Sequence, residues 1–489
     1  MKKITFITII ALLGFVSINS CTEDWEEMNV DPDNPTVAPA TNLLAHTLRY
    51  AGDVFYDDWQ DMNNFMSFAG HVTKIQYVDE ARYEYRESVV NAAWEDYYVL
   101  QMDLKKMASS ARSQGKMKTW AVSKTFSAFL WQMATDMWKS IPYEEALAAE
   151  EGVNNPVYTD QETIYLALID SLEAANAEFN KAYPSDDLGS GDVLYSADFS
   201  KWQKFCNSLR LRIALRLSYS HPTVAQNLAE TVLGDPTNNP IFESNEDNAF
   251  MFWPGAAPYK EPWAENFEDR DDHGMAKTLV DSLLALNDPR LPVYAKENPD
   301  GAYVGLVEGA AKGTFNISEI SRIGVFYREN PSGHTPFMRY SETMFNVAEA
   351  ALNGWNVGAD AQTAYETAVR ASLEENQVAE ADITTYMAQP RVAWGGSEEE
   401  NRHKIIKQKW IALFKQGREA WSLQRRTDFP QMDDAPGSPF TGHNRQPFRY
   451  PYPQDEKILN ETNYMQAADG IVDHYWGQQM IWDTRTGVE

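Results

Sequence analysis

Residues 340–375 read YSETMFNVAEAALNGWNVGADAQTAYETAVRASLEE, and the period of that stretch decides the fold class. Two helical patterns run through it, Tyr340 to Gly354 and Ala359 to Glu375. On the second, Ala361, Ala364, Tyr365 and Ala368 recur at helical spacing and give small side chains where another helix crosses. The spacing predicts a helix pair closed by alanines, and so a body built from helices.

Working outward, the same period returns. Upstream, Phe205, Leu209, Ile213 and Leu217 step by four through Phe199 to Ser220. Arg210, Arg212 and Arg216 are interleaved with them and read as structural, reaching acidic neighbours or helix carbonyls. Ile164, Leu168, Leu172, Ala175 and Phe179 make one buried stripe, ended by Pro184 and the run Asp186 to Asp192. That run lacks the spacing and distal glutamate of an EF-hand, so no metal is assigned to it. Ala92 to Arg112 and Met117 to Trp138 read as an antiparallel pair, closed by Pro142. Leu44, Leu48, Ala51 and Phe55 begin a helix near Thr41, which Trp59, Phe65 and Phe68 continue. Downstream, Ala276 to Leu286 and Asp455 to Leu459 are helical, and Glu398 to Gln424 sets Ile405, Ile406, Trp410, Leu413 and Phe414 beside a basic face. The expected fold class is all-α, with helix pairs packed against an irregular half.

That irregular half lies in three loop-rich segments, 239–274, 294–336 and 427–489. From Asn239 to Gly274 aromatic residues gather among Pro240, Pro254, Pro258 and Pro262. A long irregular segment in a compact body is usually functional, and stiff prolines would let Trp253, Tyr259 and Trp263 present ring faces. Asp269, Asp271, Asp272 and His273 follow, read as a solvated helix start and not as a metal site. The stretch 294–336 reads as loops with short strands, one of them Ile323 to Tyr327. Between Gly70 and Glu87 the helical period also fades. There Tyr77, Arg82, Tyr83 and Tyr85 form a second candidate ligand surface; the alternative is a hairpin with its tyrosines packed on the body.

The chain has 489 residues, with 42 Lys plus Arg against 71 Asp plus Glu. Its start reads as a secretory signal over residues 1–20: Lys2 and Lys3, then an apolar run from Ile4 to Ile18 too short to span a bilayer. Removing it leaves 40 basic against 71 acidic residues, a formal charge of −31. Nucleic-acid binding is unlike such a balance. Cys21 is the expected lipidated first residue, followed by an acidic leader and a Pro/Asp/Asn tether over residues 21–40; the body is 41–489. With Cys21 lipidated, Cys206 has no disulfide partner and reads as a small buried residue. Aromatics make up 12% of the chain, with 15 Trp and 24 Tyr, a surplus that suggests exposed stacking surfaces.

Several stretches taken together resemble the SusD/RagB family, in its SusD-like branch of Bacteroidetes outer-membrane lipoproteins. They are Asn29 to Thr36, Ile141 to Ala146, Trp202 to Arg212, Tyr340 to Ala350, Gln408 to Leu413, Glu419-Ala-Trp421 with Arg425-Arg426-Thr427, and Arg449 to Pro453. The family usually has a glycine and an aspartate before Ile-Pro-Tyr, where this chain has Trp138-Lys-Ser140. The resemblance implies tetratricopeptide-like helix pairs beside a ligand-binding half. It also implies a SusC-like TonB-dependent outer-membrane transporter as partner, and anchorage on the cell surface through the lipid. The family's ligand residues are poorly shared, so the aromatic candidates stand on the residues alone.

The expected function is non-enzymatic capture of an oligosaccharide for that transporter, with oligopeptides as the alternative ligand. Sugar rings offer apolar faces to Trp and Tyr and hydroxyls to polar side chains. No zinc-protease, nucleophile-elbow, P-loop or dinucleotide motif occurs, and no cofactor is expected. A purely structural scaffold is the third reading.

Overall fold

A computed structural model describes residues 39–488. The signal, Cys21 and all but the last two residues of the tether lie outside the described residues. Helix α1 (Ala40–Val54) lies against the long α3 (Glu87–Ser113), which turns through Gly115 into α4 (Met117–Trp138). Next come α5 (Gln161–Phe179), α6 (Phe199–Leu217) and α7 (Pro222–Gly234), each packed on its predecessor. Their starts follow from capping: Asp160 accepts from the Thr163 amide at 2.9 Å, and Asp198 from the Ser200 amide at 2.8 Å. The stripe Ile164, Leu168, Leu172, Ala175 and Phe179 is buried as its spacing predicts. Cys206 is buried beside it, its Sγ 3.4 Å from the Leu172 carbonyl.

The stretch that decides the fold forms α12 (Tyr340–Leu352) and α13 (Ala361–Glu375), with Ala364, Tyr365 and Ala368 buried between them. Helix α12 also meets α6 and α15 (Glu398–Ala412), so the two runs of helices share one core. Buried ion pairs cross that junction. Arg212 grips Glu342 through Nε and Nη2 at 2.6 and 2.7 Å, Arg216 reaches Glu419 at 2.6 Å, and Arg426 grips Glu349 at 2.6 and 2.7 Å. The interleaved arginines are structural, as the sequence suggests. Arg210 instead hydrogen-bonds Asn207 and Asn239.

Other elements depart from the expected pattern. Helix α1 stops at Val54, a π-helical turn occupies Asp58–Met62, and α2 (Phe65–Phe68) is a single turn. Asp57 caps the π turn by accepting from the Gln60 amide. The stretch from Glu398 divides into α15 and α16 (Gly417–Thr427), with Lys415 at φ +67° between them. The buried Lys415 ammonium donates to Glu261 and to the His334 carbonyl, both at 2.8 Å. That anchor to the irregular half fixes the break, and no local period could reveal it.

The irregular half is held by short antiparallel strand pairs formed between distant segments. β1 (Val72–Lys74) pairs with β5 (His273–Met275), putting Lys74 opposite His273. β2 (Ile141–Pro142) pairs with β3 (Tyr158–Thr159), β4 (Ala249–Phe252) with β8 (His334–Met338), and β6 (Ala295–Lys296) with β7 (Arg322–Ile323). No hairpin forms between 71 and 86. The helix expected to begin at Asp269 is the end of one, α8 (Pro262–Asp269), and β5 follows it. The strand expected over Ile323 to Tyr327 is short, and Val325–Arg328 is a helical turn, α11. α9 (Lys277–Leu286) and α10 (Leu291–Tyr294) precede α11, α14 (Glu380–Met387) follows α13, and α17 (Gln454–Leu459) and α18 (Glu461–Ala467) lie near the end.

Candidate functional site

The π turn, β1, the start of α3, α8 and β5 converge on an open cleft of about 400 Å3. Its aromatic members are Trp59 and Tyr77, which stay 44% and 59% exposed. Each ring has a guanidinium on it: Arg86 lies 5.3 Å from the Trp59 ring centre and Arg270 lies 5.4 Å from that of Tyr77. These cations help fix the rings against rotation. Arg86 is itself held by the buried Glu80, which also pairs with Lys74 at 3.1 Å; Arg270 is held by Asp272. Tyr77 takes a left-handed backbone conformation, φ +50°, a cost the surroundings must offset.

The remaining lining is polar: Asp58, Asn63, Lys74, Asn266, Asp272 and His273. Burial pushes the Asp58 carboxyl above its usual range. His273 is buried, and its pKa lies well below that of a free imidazole through desolvation, then the charges of Lys74, Arg328 and Arg270. The ring is therefore neutral. Its Nε2 donates to Asn63 Oδ1 at 2.8 Å, which leaves Nδ1 as an acceptor with no protein partner. Asn266 Nδ2 is a buried donor with none either. An unpaired donor and an unpaired acceptor beside two open ring faces suit a ligand with apolar faces and many hydroxyls.

Of the residues picked from sequence, Tyr77 lines this cleft. Arg82 sits beyond it, paired with Asp79 at 2.8 Å and Glu84 at 2.6 Å and donating to the Gly437 carbonyl. Tyr83 and Tyr85 do not share an outward face: the left-handed turn at Tyr83 sends its ring into the core against Phe68 and Trp476, and Tyr85 packs on Tyr450 and Tyr475. Trp253 is buried with Nε1 on Thr335 Oγ1 at 3.0 Å. Trp263, in the first turn of α8, is wholly buried beside Phe414 and Lys415. Neither indole presents a face to solvent, contrary to the expectation for that loop. Tyr259 is exposed, but its ring lies under Arg49 of α1 and not in the cleft.

Trp59, Asp58, Asn63, Arg86, Arg270 and His273 were missed as site residues. Trp59 reads as one more apolar step of α1, and only the two aspartates before it hint that it leaves the core. The run Asp269 to His273 resolves into separate partners: Asp271 pairs with Arg322 and Arg328, Asp272 with Arg270, and His273 with Asn63. In the Asp186 to Asp192 run, Asp186 accepts from the Lys118 and Thr119 amides at the start of α4, and Asp192 from Trp202 Nε1.

Residues 32–453 match a family model described as starch-binding, associating with the outer membrane, and named SusD-like. A solved chitin-binding protein superposes with a TM-score of 0.80 at 25% identity, covering 92% of this chain and 100% of its own. A SusD-like protein from Bacteroides thetaiotaomicron gives 0.79 at 25% identity, covering 91% and 99%. A chitin-binding SusD homologue from Flavobacterium johnsoniae gives 0.78 at 23% identity, covering 91% and 98%, a likeness of fold. No curated protein matches the sequence.

Proposed function

This chain belongs to the SusD-like family, and from that premise we propose that it captures an oligosaccharide at the Trp59–Tyr77 cleft, without catalysis, and delivers it to a SusC-like TonB-dependent transporter. The observation that carries the ligand class is the pairing of two exposed, guanidinium-backed rings with unpaired polar groups in one cleft. Glycan binding by relatives supports it: the family description is starch-binding, and two structural relatives are chitin-binding. The apolar run before Cys21 supports a lipid anchor in the outer membrane, with the body at the cell surface. The sequence candidates Arg82, Tyr83, Tyr85, Trp253 and Trp263 serve, in this reading, to hold the cleft's surroundings.

Calorimetric titration of the chain starting after Cys21 tests the proposal, with maltooligosaccharides, chitooligosaccharides and oligopeptides as probes. Saturable binding of a glycan, weakened by Trp59→Ala or Tyr77→Ala, is the expected result. Binding of peptides alone would transfer the role to the oligopeptide reading.

A further inference from the structure

Three cations and two carboxylates line the Trp59–Tyr77 cleft: Lys74, Arg86 and Arg270 against Asp58 and Asp272. A third carboxylate stands just outside the lining. Glu80 opens a 3-10 turn, Glu80–Arg82, between β1 and α3, and is only 2% exposed. Its two oxygens are divided: Oε1 accepts from Arg86 Nε, and Oε2 lies 3.1 Å from the Lys74 ammonium. Arg270 has a carboxylate of its own in Asp272. With Glu80 counted, every cation of the cleft is answered by an acid.

Glu80 has two effects there. It fixes Arg86 over the Trp59 ring, because that guanidinium makes no other ion pair among the described residues. Asp79 is also within electrostatic reach of Arg86, but it pairs with Arg82 at 2.8 Å. Glu80 also cancels the charge of Lys74, which is buried and has no other ion pair among the described residues. Asp58 lies within electrostatic reach of Lys74 without pairing to it. No cation is left over for an acidic sugar, and a chain with 71 acidic residues to 42 basic ones repels one.

We infer that Glu80 reserves the cleft for uncharged glycans: one buried carboxylate holds the guanidinium over Trp59 and cancels the ammonium beside it. The inference rests on the reading of the cleft as the glycan site. Removing the carboxylate should loosen one ring and uncover two cations at once.

Three variants of the soluble chain separate the two effects. Glu80→Gln releases Arg86 and adds positive charge, Arg86→Gln removes the guanidinium and its charge together, and Asp58→Asn adds positive charge with Arg86 still held. Calorimetry with maltohexaose, chitohexaose and trigalacturonate reads them. The parent is expected to bind a neutral glycan, and trigalacturonate at least 10-fold more weakly. Glu80→Gln and Arg86→Gln should each weaken the neutral glycan about 10-fold. Glu80→Gln and Asp58→Asn should each strengthen trigalacturonate at least 5-fold, a gain that salt removes and Arg86→Gln lacks. Trp59 fluorescence gives a readout without any glycan, taken as the difference from the same protein carrying Trp59→Phe. Iodide should quench it more in Glu80→Gln than in the parent, beyond any rise seen with uncharged acrylamide. Thermal midpoints identify a variant that fails to fold; if Glu80→Gln does, Arg86→Gln and Asp58→Asn carry its two predictions one at a time. Trigalacturonate bound by the parent as tightly as the neutral glycan, parent-like neutral affinity in Arg86→Gln, or unchanged iodide quenching in folded Glu80→Gln would each overturn the inference. A parent that binds no glycan, with iodide responding as expected, would instead overturn the proposed function and leave the charge role of Glu80 standing.

Discussion

Guanidinium groups lie over many aromatic rings among the described residues, and at two of those places, the helix junction and the cleft, the contact means opposite things. At the helix junction Arg425 lies 3.5 Å from the ring of Trp421 and Arg216 lies 4.9 Å from that of Trp482, with both indoles buried and Arg216 paired to carboxylates. At the cleft, Arg86 lies over Trp59 and Arg270 over Tyr77, and the rings remain open. The residue types are the same, but the first set completes a core and the second leaves one face of each ring unspent. What separates scaffold from site here is exposure and unpaired polar groups, which composition cannot show.

The comparison breaks first at the junction. Replacing Glu349 with Ala leaves the buried Arg426 guanidinium with Ser218 and the Tyr219 ring but no paired carboxylate, and should cost about 3–5 kcal/mol. Urea unfolding measures it, and folded protein should bind glycan as before. Next in size is Trp59→Ala, expected to lose about 2 kcal/mol of glycan affinity, roughly 30-fold. Its unfolding midpoint should stay near the parent's, because half the ring is already in water.

A third test concerns the seam between the regions. His71 is buried against Trp410, its ring centre 4.9 Å away, and desolvation pushes its pKa from 6.5 down to about 3. Below pH 6.5 the unfolded chain binds a proton that the folded chain refuses, so stability falls as pH falls, and returns as it rises. Relative to His71→Phe, the parent should lose about 2 kcal/mol of stability between pH 7 and 5, read from denaturation at each pH. The smallest effect belongs to Tyr259→Ala: with its ring under Arg49 and away from the cleft, glycan affinity should change less than 2-fold by calorimetry.

The helix pairs were legible because their information is local. Four-residue steps in α5 and α6 and the alanines of α13 name their buried faces directly, and the arginines of α6 between apolar steps point to buried partners. Three of the stretches that carry the family resemblance meet at this junction, through Arg212, Glu342, and Glu419 with Arg426. They mark the fold, not the ligand. The cleft was legible only in part. Tyr77, one of the tyrosines that the fading helical period points to, lines the cleft, whereas Trp253 and Trp263, singled out for the company of prolines, turn inward. Much of the tryptophan surplus fills the core, with Trp138, Trp202, Trp263, Trp410, Trp421, Trp476 and Trp482 fully buried. Trp59 is the exposed one among the described residues. Its position depends on a π turn and on the pairing of β1 with β5, some 200 residues apart in sequence. Contacts at that separation leave no periodic trace.

The central claim is that ligand binding lives on the open rings and stability on the closed ones. The most direct test measures glycan affinity and urea midpoint together on Trp59→Ala and Trp263→Ala. The account predicts a lost affinity with a kept midpoint for the first. For the second it predicts a midpoint lowered by about 3–5 kcal/mol of stability, with affinity retained in the folded fraction. Full glycan affinity in Trp59→Ala, or loss of binding in a Trp263→Ala protein that remains folded, would contradict it.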